Sequence, residues 1–148
     1  MKKGLILALC QAVSLLVLVA CGSGGEMKIE NVQANLTLPT ETGAVYMTIT
    51  NETGEDDSLV GASVPGCVAV ELHHMIMEGE VMVMQEVPGG EIPISDGETV
   101  ELKRGGLHVM CIGKTDQFEI GDEVQVTLEF DKAGEIEVTA EVIAPGEM

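Results

Sequence analysis

Beyond residue 25, apolar and polar positions alternate with a period of two in short runs, each closed by glycine or proline. The runs predict strands over 29–36, 44–51, 58–64, 68–77, 81–87, 99–103, 107–112, 123–130 and 135–142. Gly54, Pro65-Gly66, Pro88-Gly89-Gly90, Asp96-Gly97, Gly105-Gly106, Gly121 and Ala133-Gly134 punctuate them. Glu78-Gly79, between two apolar runs, predicts a hairpin tip. No stretch holds a helical period over more than three turns. Many short antiparallel strands imply an all-β sandwich or barrel. Repeats and a second domain are absent from the pattern.

Parity within the strands separates two kinds of face, because successive side chains point to opposite sides. Leu107, Val109 and Cys111 share one side, His108 and Met110 the other. Val68, Val70, Leu72 and Ile76 oppose Glu71, His73, Met75 and Met77. Val81, Val83 and Val87 oppose Met82, Met84 and Glu86. Three strands thus turn a branched-aliphatic face inward and a His/Met face outward. His74 falls on the apolar side, where a hydrogen-bonded, partly buried imidazole is its expected role.

The N-terminus follows a different rule. Met1-Lys2-Lys3 is a positive head, and residues 4–20 are apolar apart from Gln11 and Ser14. That is the secretory pattern. It ends in Leu18-Val19-Ala20-Cys21, like a bacterial lipobox in which the cysteine is lipidated, and Gly22-Ser23-Gly24-Gly25 makes a flexible tether. The competing reading is a plain anchor helix, for which about 18 apolar residues barely suffice. The expected layout is a signal peptide over 1–20, lipidated Cys21 and tether over 21–27, and one domain over 28–148. The chain would then sit in the bacterial cell envelope, periplasmic or on the outer face, held to the membrane through Cys21. Cys10 lies in the signal, so Cys67 and Cys111 are the pair left to the folded part. In an oxidising compartment they could form a disulfide, and sequence alone leaves that open.

Composition narrows the function. Of 148 residues, 25 are acidic and 7 basic, a formal net charge of −18. Nucleic-acid binding, which needs clustered Lys and Arg, is excluded, as is electrostatic docking on anionic lipid. Aromatics are only 2% (Tyr46, Phe118 and Phe130), which argues against a carbohydrate- or protein-binding face on a surface-anchored sandwich, the main non-metal alternative. The acidic stretch 51–57 matches no calcium loop and reads as a solvated loop. No Ser/His pairing or phosphate loop suggests an enzyme.

All three histidines, His73, His74 and His108, cluster with Met75, Met77, Met82, Met84 and Met110. A single strand methionine is usually core filler. Together, thioether and imidazole donors suit Cu(I) and disfavour Mg²⁺, Ca²⁺ and Mn²⁺. Neutral thioethers also survive where a dithiol would oxidise. A blue-copper electron-transfer site needs His₂Cys, and no histidine follows Cys111.

Leu72-His73-His74-Met75, Met84 and Gly106-Leu107-His108-Val109-Met110 resemble the signature of the PCuAC copper chaperone family. That pattern is a histidine, ten residues, a methionine, about twenty-one residues, then His-x-Met. Here the second gap is two residues longer, an excess that a turn over 88–97 could absorb. The likeness extends over 28–143, through Ala44-Val45-Tyr46-Met47-Thr48-Ile49-Thr50-Asn51, Leu59-Val60-Gly61-Ala62, Gly97-Glu98-Thr99-Val100-Glu101-Leu102-Lys103, Gly121-Asp122 and Lys132-Ala133-Gly134. The resemblance implies a cupredoxin-like Greek-key β-sandwich and an exposed Cu(I) site on a monomer. It implies His73, Met84, His108 and Met110 as ligands, with Met75 as an extra or exchange ligand. It further implies delivery to extracytoplasmic acceptors, either the copper subunit of cytochrome c oxidase with its dinuclear centre or a thioredoxin-like copper chaperone. Cys111 departs from the plain apolar residue usual there, and its parity turns it inward.

Overall fold

The computed structural model describes residues 24–147, so the expected signal and Cys21 lie outside the described residues. Ten strands follow one another: β1 (Met27–Asn35), β2 (Thr42–Asn51), β3 (Asp57–Ser63), β4 (Cys67–Glu78), β5 (Val81–Glu86), β6 (Ile92–Ile94), β7 (Thr99–Leu102), β8 (His108–Lys114), β9 (Glu123–Phe130) and β10 (Gly134–Val142). They hydrogen-bond in one continuous order, β5-β4-β8-β2-β1-β10-β9-β3-β6, with β7 added to β2. The pairing of β1 with β10 is parallel, and the other ladders are antiparallel.

The run folds over on itself, so this is the sandwich that the strand pattern implies. Val45, Ile49, Leu72, Val109 and Cys111 of one half share a buried core with Leu59, Val126, Leu128, Ala140 and Val142 of the other. Alternation shows why. In β9 Val124, Val126, Leu128 and Phe130 are buried, while Glu123, Gln125 and Glu129 face solvent. A one-residue slip would exchange the two sets, so register is strongly specified there.

The segment 88–97, expected to be a plain turn, instead holds a 3₁₀ turn at Pro88–Gly90 and the short strand β6. β6 pairs with β3 at the sheet edge, where Pro93 is tolerated. The stretch 51–57, expected to be solvated, is pinned at both ends. Asn51 is fully buried, its Nδ2 donating to Glu55 O and Ile94 O and its Oδ1 accepting from Thr53 N and Oγ1. The buried Asp57 carboxylate accepts from the backbone N–H groups of Ser58, Lys132 and Ala133. Burial alone would raise its pKa, but those three donors and the Lys132 charge together bring it below the usual carboxylate value.

Candidate metal centre

β8 carries the centre of the site because it lies between β4 and β2. The β4–β8 register sets His73 opposite His108 and Glu71 opposite Met110. The β4–β5 register sets Met75 opposite Met84. The β2–β8 register sets Ala44 opposite Met110, which carries Tyr46 next to His108, their ring centroids 6.3 Å apart. Met75, Met84, His108 and Met110 therefore converge on one cleft of about 440 Å³, together with Met82, Tyr46 and Arg104. His73 stands beside it, with its ring centroid 6.0 Å from that of His108 in an edge-on arrangement.

Hydrogen bonds fix which nitrogen of each ring is free. His108 Nδ1 lies 2.9 Å from Gly106 O. A carbonyl has no proton to give, so Nδ1 carries the hydrogen and the neutral ring keeps its lone pair on Nε2. That Nε2 faces the Met84 sulfur at 3.1 Å. Two lone-pair donors thus point at each other. Burial lowers the His108 pKa, and the nearby His73 and His74 lower it further against the pull of the Gly106 carbonyl, so the ring is held neutral. His73 Nε2 lies 2.8 Å from Glu71 Oε2, which places its proton there too. Its Nδ1 is buried and has no hydrogen-bond partner. An acceptor–acceptor contact and an orphaned buried nitrogen are what a soft cation would resolve.

Exposure differs from the sequence expectation. His108 and Met110 are 4% and 7% exposed, buried like Val109 and Cys111 on the other side of the strand. The central strand is covered on both faces, so the site is a recess and not an open face. Met84, on the edge strand β5, is 44% exposed and forms its accessible wall. Nor do all the valines turn inward. Val81 and Val68 are 64% and 75% exposed.

His74 lies on the opposite side of β4, in a separate cleft with Val87, Ile92 and Leu107. It was expected to be hydrogen-bonded, but its buried Nε2 has no partner. Cys67 and Cys111 are bonded, with Sγ atoms 1.99 Å and Cα atoms 5.5 Å apart. The register sets Cys67 opposite Lys114 and Cys111 opposite Val70. Between Cys111 and Lys114, Gly113 has φ of 66°, and a Cβ there would come to 3.0 Å from Val68 Cβ. Tyr46 and Arg104 were not foreseen as cleft residues, whereas Met82 lies on the His/Met face that its parity with Met84 gave it.

A family model described as LpqE-like, a lipoprotein family, matches residues 27–142. The chain belongs to the LpqE-like family. A curated relative of this LpqE-like protein, named as lipoprotein Lxx21020 of Leifsonia xyli subsp. xyli (strain CTCB07), is 33% identical over 72 residues. That match covers 49% of this chain and 43% of the relative, so the chain spans less than half of that protein. Among solved structures, the copper-bound PCuAC domain from PmoF2 superposes with a TM-score of 0.67 at 25% identity, covering 83% of this chain and 97% of that one. The Cu(I)-bound DR1885 of Deinococcus radiodurans gives 0.67 at 27% identity, over 86% and 85%. The LpqE-like chain thus has the fold of the PCuAC domains, as the sequence resemblance implied.

Proposed function

We propose that this LpqE-like protein is an envelope lipoprotein that carries Cu(I) and hands it to other extracytoplasmic proteins. The observation that carries the reading is the 3.1 Å contact between His108 Nε2 and Met84 Sδ, two lone-pair donors with no proton between them. The ligands are His108 through Nε2, His73 through Nδ1, Met84 and Met110, with Met75 across from Met84 as an exchange ligand. The Glu71 carboxylate bonded to His73 fixes its tautomer and raises its basicity toward metal.

The donor set selects the ion. Two imidazoles and two thioethers are neutral and soft to borderline, which favours Cu(I) over hard divalent ions. Among the described residues, no group of three or more His, Cys, Asp or Glu stands ready for a metal. Cys67 and Cys111, being joined to each other, offer no thiolate. His108 and Met110 hold the ion from inside, and exposed Met84 is the first ligand that a partner's donor displaces. The ion leaves by stepwise ligand exchange, without changing oxidation state. Acceptance by the dinuclear copper centre of cytochrome c oxidase, directly or through a thioredoxin-like chaperone, is the delivery that the family resemblance supports. Cys21 is the residue that would take the lipid.

A Cu(I) titration of the purified protein against a competing chelator, with His108→Ala alongside, tests this. Tight one-to-one binding that the variant loses is the expected result. Binding no stronger than the control, or unchanged in His108→Ala, overturns it.

A further inference from the structure

The β4–β5 hairpin carries a methionine pair that this ligand set does not use. Its loop, Gly79 and Glu80, joins strands whose register sets Met75 against Met84 and Met77 against Met82. Val87 N donates to Leu72 O at 2.9 Å, which marks that pair as hydrogen-bonded. Bonded and non-bonded pairs alternate in an antiparallel ladder. Met75–Met84 and Met77–Met82 are therefore both non-bonded pairs, the kind whose Cα atoms stand about 4.5 Å apart and whose side chains approach most closely. Residues two apart share a side, so all four thioethers project from one face, the second pair about 7 Å beyond the first.

That face is continuous with the inner site, since Met82 lines the same cleft as Met75, Met84, His108 and Met110. The outer pair contributes nothing to the core. Met77 and Met82 are 60% and 51% exposed. Strand methionines are ordinarily buried filler, and these two are held side by side in solvent. Glu78 and Glu80 flank them at the loop, drawing cations toward the tip without offering a soft donor.

We propose that Met77 and Met82 form an outer thioether station that receives Cu(I) at the hairpin tip and passes it along Met75–Met84 to the His73, His108 and Met110 recess. The proposal rests on the inner-site reading given above. Each step forms one Cu–S or Cu–N bond as a bond from copper to its previous donor breaks. Copper stays Cu(I), and no proton moves.

The test uses the full chain in detergent with ¹³C-labelled methionine methyls, titrated with Ag(I), a d¹⁰ ion of the same charge. The first equivalent should shift the methyls of Met84 and Met110, and the second those of Met77 and Met82. In stopped-flow transfer from a Cu(I)–chelator complex, Met77→Leu, which lies outside the inner cleft, should load about tenfold more slowly, the effect of about 1.4 kcal/mol on the barrier, at an affinity changed less than about twofold. Met77 is exposed, so the variant keeps its core. Methyls of Met77 and Met82 that ignore several equivalents, or loading at the wild-type rate, overturn the proposal. His108→Ala separates it from the inner-site reading. If Met77 and Met82 respond there while the wild type shows no tight site, the station stands and the inner assignment fails. If the wild type binds one ion tightly and Met77 and Met82 stay silent, only the station fails.

Discussion

Reducing the Cys67–Cys111 bond leaves every side chain in place and changes chiefly the freedom of the unfolded chain. The cysteines are 44 residues apart in sequence. In the chain-entropy account, closing a loop of that length removes about 13 cal/mol/K from the unfolded ensemble, or about 4 kcal/mol of stability at 25 °C. Cys111 is fully buried, and as a thiol it would still pack as a small apolar group, so reduction adds no cavity cost. With a transition entropy of roughly 2.1 cal/mol/K per residue, a domain of this size should lose about 15 °C in melting temperature. Parallel urea and thermal melts with and without a phosphine reductant measure this, with mass labelling of Cys67 and Cys111 to verify reduction. The urea slope should also rise, because the reduced unfolded chain exposes more surface. Superimposable melts from fully oxidised and fully reduced samples would refute the reasoning. They would mean that the Cys67–Cys111 bond does not constrain the unfolded chain as the entropy account requires.

Other outcomes follow from single sites. Replacing Met84 and Met110 together by Leu, a near-isosteric change costing under about 1.5 kcal/mol, should abolish tight Cu(I) binding while circular dichroism and melting stay close to wild type. Unchanged affinity would defeat the assignment. Asn51→Ala removes two donated and two accepted hydrogen bonds at a fully buried position and should cost about 2–4 kcal/mol in urea unfolding. A loss below about 1 kcal/mol, the net worth of one hydrogen bond, would show that solvent replaces those bonds. The folded His108 pKa lies below its unfolded value because burial opposes the charge. Between the two values the unfolded chain binds the extra proton, so the metal-free protein should be fully stable above about pH 6.5 and weaken as pH falls below it. Urea midpoints of wild type and His108→Gln between pH 7.5 and 5 check this, and equal slopes would remove His108 from the account.

Much of this structure was legible in the residues, for identifiable reasons. Strands with one covered face announced themselves through alternation, as β9 does with Val124, Val126, Leu128 and Phe130. β6 escaped because three residues with Pro93 in the middle carry no period, and only the neighbour β3 makes them a strand. Parity placed His108 with Met110 and Met75 with Met77, but parity says nothing about depth. Which face of β8 would be covered depended on β2, β5 and the Arg104 loop, all set by tertiary pairing. The hairpin tip was misplaced by one residue. Glu78 pairs with Val81, and Gly79, at φ 67°, opens the turn. Tyr46 and Arg104 gave no local sign of their place, because they reach the cleft only through the β2–β8 register and the loop before β8.

The two ends of β2 set a distance of their own. At Asn51 the strand meets Met27, where the chain enters the domain, and at Thr42–Ala44 it borders the His/Met cleft. Ten residues of strand span about 30 Å between those points. A lipid on Cys21 would therefore fasten the domain by the pole opposite the His/Met cleft. The recess would stand at roughly the height of one strand above the bilayer, facing outward, so acceptors presenting their metal sites at that elevation could dock without the domain leaning over. A shorter tether would limit that lean and narrow the heights it can serve. The length of the Gly-Ser-Gly-Gly stretch, and not the cleft alone, then becomes a determinant of which acceptors can be reached.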